Sequence, residues 1–279
     1  DLRSHIHTEL IAQGKVQLQE KVKAEMHQSV IEVGTGICRT IGEAREDVVN
    51  LRRQTVRLAK EHGLLLAAGA TPSVTTSPEE IGGFVSGADN LLVNLGTLDR
   101  ERREAIGIAL DAVGGRLPWV LDPVFVDRSP SRLEFARALI ARLPAVIRLN
   151  AAELAALSGE AASEDTARAF ASRTGTVVAL TGEVDIVTDG ARLVSLHNGD
   201  ELMSKVTAMG CAGSAFLASA LAVEQDRWLA AAAAIMVFGL AGELAALRSD
   251  GPGSLAFNIL DTLHGMTPEM VVEDGWAEA

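Results

Sequence analysis

The run Val206-Thr207-Ala208-Met209-Gly210-Cys211-Ala212-Gly213-Ser214 sets a thiol among small residues just ahead of an apolar stretch. Small side chains at a helix start let backbone N–H groups approach an anion, and the helix dipole favours negative charge there. A thiol in that field favours its thiolate, so Cys211 is a candidate proton acceptor or nucleophile. A cysteine packed as a small apolar side chain is the plainer alternative. In WVLDPV, Asp122 sits where α/β sheets place ligands, at the carboxyl end of a short apolar run, or else it caps the next turn. In VIRLNAAEL, Arg148 could clamp a phosphate and Glu153 could hold water on a Mg²⁺ ion. The alternative there is an N-cap at Asn150 with both charges in solvent. Thr181-Gly182-Glu183-Val184-Asp185 is a run end followed by a tight turn, which an ordinary hairpin also explains. The six His residues form no metal pattern, and Gly34-Thr35-Gly36 lacks the third glycine and the lysine of a nucleotide loop.

These residues need elements to position them. Short apolar runs predict strands over Leu91–Asn94, Trp119–Leu121, Ala145–Leu149, Val177–Thr181 and Asp185–Thr188. Helical spacing predicts Arg100–Val113, Ser131–Arg142, Ala151–Leu157, Glu164–Arg173, Gly213–Val223 and Arg227–Leu247. Runs this apolar predict a sheet buried on both faces, and their alternation with helices predicts an α/β sandwich of mostly parallel strands. Upstream, residues 28–36 read as a strand with a Gly-rich turn. Ile41–His62 reads as a helix capped by Thr40 and Glu43, and a further strand is expected near 72–76.

The chain has 279 residues, of which 48% are apolar and 22% charged, so it is globular rather than disordered. Its 37 acidic and 25 basic residues give a formal charge of -12, which argues against a sequence-independent nucleic-acid binder. Two cysteines cannot make a disulfide scaffold, and the start DLRSHIHTEL carries no apolar signal core, so a cytoplasmic home is expected. Trp228 to Gly242 is uncharged, but its fifteen residues, many of them alanine, predict a buried helix rather than a membrane span.

From about Leu65 onward the chain resembles the hydroxyethylthiazole kinase family of the ribokinase-like superfamily. The resemblance rests on LLAAGATPSV, LLVNLGTL, PWVLDPV, VIRLNAAELAAL, VVALTGEVDIVTDG, LMSKVTAMGCAGSAF, FGLAGELAA and GPGSLAFNILD, in that order. It implies a three-layer sandwich and ATP-dependent phosphorylation of 4-methyl-5-(2-hydroxyethyl)thiazole with Mg²⁺. By the same resemblance Cys211 takes the base position near the substrate hydroxyl. Arg148 and Thr181 match ATP-contacting residues, Asp122 and Glu153 match acids near Mg²⁺ and the phosphates, and Ala208 falls where the backbone meets the substrate. A homotrimer with sites between subunits is implied as well.

The chain departs from that pattern in places. The family's Gly-Thr-Gly-Cys reads Ala208-Met209-Gly210-Cys211, its Gly-Val-Gly-Ala after Asp122-Pro123-Val124 reads Phe125-Val126-Asp127-Arg128, and a segment near Gly159 is shortened. The motifs that line the thiazole pocket would fall on Leu51–Gln54 and on Leu58 and Ala59, and neither is present. Residues 1–64 instead resemble a strand and helix of the glutamate–cysteine ligase type of carboxylate–amine ligase, in which a residue like Glu32 helps hold Mg²⁺ and ATP. The chain thus reads as a ligase-type fragment, 1–64, joined near Leu64–Gly69 to a kinase-type domain, 65–279. A non-catalytic nucleotide- or thiazole-binding protein and a ligase relative are the alternative readings.

Overall fold

The computed structural model describes residues 22–24, 31–33 and 74–278. The chain divides into two compact units, 1–69 and 70–279. In the first, β1 (Val22–Ala24) pairs antiparallel with β2 (Ile31–Val33), which sets Glu32 opposite Lys23. The strand expected over 28–36 is present as these three residues; the helix expected over 41–62 lies outside the described residues.

The second unit opens with α1 (Pro78–Ser86), β3 (Leu91–Asn94), α2 (Arg100–Val113), β4 (Trp119–Asp122), α3 (Pro130–Ile140), β5 (Val146–Asn150), α4 (Ala151–Ser158) and α5 (Glu164–Thr174). It continues with β6 (Val177–Thr181), β7 (Asp185–Thr188), β8 (Leu193–Leu196), a 3₁₀ turn (Glu201–Lys205), α6 (Met209–Ala220), α7 (Arg227–Ala246), α8 (Pro252–Gly265), α9 (Pro268–Asp274) and β9 (Ala277–Glu278). Among the described residues the sheet runs β3-β4-β5-β6-β7-β8-β9. Strands β3 to β6 are parallel, and β7, β8 and β9 add on antiparallel.

Period-two alternation divides each strand between two cores. Leu121, Ile147, Leu149, Val178 and Leu180 face α1 to α5, while Val120, Val146, Val177, Ala179 and Val187 face α6 and α7. Both faces are covered, so the parallel strands read as unbroken apolar runs. Each fully buried aliphatic side chain contributes about 1.5–3 kcal/mol. Polar caps fix where the helices begin: Asp99 accepts from the Arg102 N–H at 2.7 Å, and Asp226 accepts from Trp228 and Leu229. Such caps contribute about 1 kcal/mol each.

Helix α7 is long and apolar enough to cross a membrane, with a mean hydropathy of 1.9. Its residues Ala230, Ala231, Ile235, Phe238 and Leu240 are instead buried against the sheet and α8, which is the packing of a core helix. Two expectations are corrected. Residues Val74–Thr76 form no strand; they lead directly into α1. Helix α6 starts at Met209 rather than Gly213, so the small-residue run is its first turn and not a loop before it.

Candidate active site

Strands β4, β5 and β6 end side by side, with Asn150 level with Thr181 and Asn94 level with Asp122. Helix α6 points its N-terminus over the same edge. Asp122 is only 4% exposed. Its Oδ2 accepts from Asn94 Nδ2 at 2.7 Å and from Ser214 Oγ at 2.8 Å. Burial pushes this carboxyl above its ordinary range; the Ser214 bond, the Arg148 charge and the Asn94 bond pull it partly back. An acid solvated by neutral donors keeps its proton more readily than one in a salt bridge.

Glu153 closes a capping box at the start of α4: its N–H donates to Asn150 Oδ1 at 3.0 Å, and its Oε2 accepts from the Asn150 N–H at 2.9 Å. The other oxygen, Oε1, accepts from the Phe125 N–H at 3.0 Å, so Glu153 also holds the β4–α3 loop. Burial raises its carboxyl, the two backbone N–H bonds lower it, and the nearby Asp122 and Asp127 charges raise it. Phe125 sits at φ 61° and Ala208 at φ 65°, both left-handed. The resemblance sets glycine at both of these positions, as it does at Asp127, which is not left-handed. The backbone keeps a glycine-type conformation at Phe125 and Ala208, against the steric preference of an L residue.

Arg148 leaves β5 beneath the first turn of α6. A Cβ on Gly210 would lie 3.2 Å from its Nη1, and one on Gly213 would lie 3.5 Å from its Nη2 and 3.3 Å from Phe238. Glycines at these two positions are what let a guanidinium sit under a helix start. Arg148 Nε is buried with no hydrogen-bond partner among the described residues. A cation and a set of unpaired helix N–H groups therefore converge on one point, which is the arrangement an anion requires.

A cavity of about 970 Å³ opens at this point. Its lining includes Arg148, Thr181, Asp185, Asn198, Ala208 and Phe238. Thr181 Oγ1 donates to the Leu149 carbonyl at 3.4 Å. Of the residues expected to do chemistry, Arg148, Thr181 and Ala208 line the cavity. Cys211, half-buried, follows the lining residue Gly210, and Asp122 and Glu153 lie behind the sheet edge, outside the lining. Asp185 was legible only as part of a hairpin. It caps that hairpin by accepting from the Gly182 N–H at 2.9 Å, and it lines the cavity within the field of Arg148. Burial raises its carboxyl to about 6, against the opposing pull of the Gly182 bond and Arg148. An acid opening a buried strand just after a tight turn was the signal for it.

No group of three or more His, Cys, Asp or Glu among the described residues could hold a metal alone. Asp122 and Glu153 are spent partly on protein donors. That donor set fits an ion such as Mg²⁺, which takes one or two carboxylates and completes its shell with water and phosphate oxygens.

A mostly parallel sheet covered by helices on both faces, with a strand arginine beneath a helix start, is a ribokinase-like α/β sandwich. The same fold occurs in a ribokinase-like superfamily protein of Enterococcus faecalis V583, with TM-score 0.55 at 15% identity, covering 66% of each chain. The chain belongs to the hydroxyethylthiazole kinase family, which it matches over residues 55–269, and it is a kinase. It is 42% identical over 217 residues to the hydroxyethylthiazole kinase of Granulibacter bethesdensis, covering 72% of this chain and 79% of the relative. It is 45% identical to a probable hydroxyethylthiazole kinase of Agrobacterium fabrum, covering 73% of this chain and 78% of that one. The hydroxyethylthiazole kinase structure from Pyrococcus horikoshii OT3 superposes with TM-score 0.72 at 30% identity, covering 76% and 85%. Residues 3–83 match a second family, glutamate-cysteine ligase family 2, and the two matches overlap over 55–83.

Proposed function

We propose that the protein transfers the γ-phosphoryl group of ATP to the hydroxyl of 4-methyl-5-(2-hydroxyethyl)thiazole, a step of thiamin salvage. The observation that carries this reading is the Arg148 guanidinium seated beneath the first turn of α6 at the mouth of a nucleotide-sized cavity. The adenosine occupies that cavity and the phosphates lie between Arg148 and the N–H groups of Gly210 and Cys211. Thr181 lines the nucleotide side. The acceptor approaches from the side of Cys211. Its hydroxyl oxygen forms the new bond to the γ-phosphorus as the bond to the β-phosphate oxygen breaks, and its proton passes to the Cys211 sulfur. The products are a phosphate monoester and ADP. Charge developing on the transferred group meets fixed donors that need no rearrangement.

Asp122 and Glu153 would hold Mg²⁺ together with the triphosphate oxygens, where the ion supplies charge neutralisation. Ser214 and Asn94 orient Asp122, and Glu153 ties the β4–α3 loop to the start of α4. The left-handed backbone at Ala208 supports turnover over a purely binding role, because the loop keeps the shape that a glycine would give it. In the same reading residues 1–64 are a ligase-type fragment, and the usual thiazole-lining motifs are missing from their sequence. The protein assembles as a homotrimer, which sedimentation equilibrium tests. Exposed Phe257 and Leu260 on α8 are consistent with a subunit contact.

Purified protein with Mg·ATP and hydroxyethylthiazole, followed by mass spectrometry, tests the proposal. A phosphorylated thiazole that is lost in both Arg148→Ala and Cys211→Ala is expected. No thiazole product with the wild-type protein refutes the acceptor, and unchanged turnover in both variants refutes the site.

A further inference from the structure

The wall of the cavity opposite α6 is formed by the segment following β8, and that segment is held by the C-terminal residues of the chain. Strand β9 pairs with β8, with Glu278 opposite Ser195 and Ala277 opposite Leu196. The ladder continues as the His197 N–H donates to the Trp276 carbonyl at 3.1 Å. The His197 ring stacks on the Trp276 indole with centroids 4.5 Å apart and 23° between the planes. Its Nε2 lies 3.7 Å from Glu278 Oε2.

Asn198, which lines the cavity, has every side-chain group engaged on the other side. Its Oδ1 accepts from the Trp276 N–H at 2.7 Å, and its Nδ2 donates to the Asp274 carbonyl at 3.0 Å and to Glu243 Oε2 at 2.9 Å. Its backbone rests directly on α7, where a Cβ on Gly239 would collide with the Asn198 carbonyl oxygen. Asn198 is thus a buckle joining three things: the cavity wall, helix α7 and the C-terminal strand. An amide spending one acceptor and two donors this way cannot shift without leaving polar groups unpaired.

We propose that Asn198 and Trp276 are positioning residues for the nucleotide, and that the C-terminal strand belongs to the nucleotide site although Trp276 does not line the cavity. This rests on the reading that the cavity holds ATP. Trp276 reaches the nucleotide only through His197 and Asn198, so its loss loosens the wall without touching the phosphates, Cys211 or the acceptor.

The test is steady-state kinetics on the full chain with Mg·ATP and hydroxyethylthiazole, varying each substrate. Trp276→Ala removes the stack on His197 and is expected to raise the KM for ATP roughly two- to ten-fold, the scale of one lost aromatic pair, with kcat within about two-fold and the KM for the alcohol unchanged. Both variants keep the backbone bonds to Asn198 and His197; Trp276→Phe also keeps the stack and is expected to restore the ATP KM, which a merely structural loss would not require. Asn198→Ala combined with Trp276→Ala is expected to be little worse than either alone, because both loosen the same 197–198 wall segment. Arg148→Ala is measured beside them. A normal ATP KM in Trp276→Ala with a raised one in Arg148→Ala overturns this inference alone. A normal ATP KM in both overturns the cavity reading and this inference with it.

Discussion

Replacing Ala208 by glycine isolates the strain at the start of α6. Ala208 is exposed, sits at φ 65° and ψ 11°, and makes no side-chain cap bond, so removing its methyl group sacrifices little packing. A left-handed L residue costs about 1–2 kcal/mol. Glycine returns about 0.4–1 kcal/mol of that by having more freedom in the unfolded chain. The net gain for Ala208→Gly is roughly 0.5–1 kcal/mol. For a unit of this size about 2–4 °C accompanies each kcal/mol, so the Tm should rise by about 1–4 °C. The backbone donors stay where they are, so kcat with hydroxyethylthiazole should stay within about two-fold. Ala208→Val, β-branched and poorly suited to left-handed φ, should fall below the parent by more than glycine rises above it. Thermal melts of the three proteins, with initial rates from an ADP-coupled assay, decide the matter. A glycine variant that melts below the parent, or a valine variant that melts with it, refutes the strain argument. A glycine variant that is more stable but inactive refutes the claim that the loop's shape alone matters.

Ser214→Ala strips the fully buried donor from Asp122 and should cost about 1–3 kcal/mol in a denaturant titration. Since the Ser214 bond holds the Asp122 carboxyl down, its loss should also move the acid limb of the kcat profile to higher pH. Asp185 has a folded pKa of about 6, above its ordinary 3.8, so the folded state binds the extra proton. Stability should therefore fall as pH rises from about 4 to 6 and level off above, and Asp185→Asn should flatten that slope in melts across pH. Gly210→Ala places a methyl group 3.2 Å from Arg148 Nη1 and should raise the KM for ATP several-fold while the melt holds or rises, since alanine favours the helix.

Most of the sheet was legible because it is buried on both faces. Val177–Leu180 is an unbroken apolar run and Ile186-Val187 a shorter one, and they form strands over Val177–Thr181 and Asp185–Thr188. Strands β8 and β9 were not legible. Leu193–Leu196 is only half buried along its length, and Ala277–Glu278 is two exposed residues, so pairing rather than composition makes them strands. Helix α1 hid behind Gly82 and Gly83, and α8 behind Gly251-Pro252-Gly253, because glycine weakens the helical signal that burial of Ile81, Val85, Leu255 and Ile259 then overrides. At the site, residue type and position located Asp122, which ends β4, and Arg148, which lies in the middle of β5 rather than at its end. Only three-dimensional packing shows that Arg148 lies under Gly210 and Gly213, that both oxygens of Glu153 serve backbone N–H groups, and that Asp185 shares the cavity.

The two residues of β9 also cover the outer edge of β8. Without them, the backbone groups of Ser195 and Leu196 would form a bare strand edge, which recruits strands from other molecules. Truncation at the C-terminus should therefore show first as concentration-dependent precipitation.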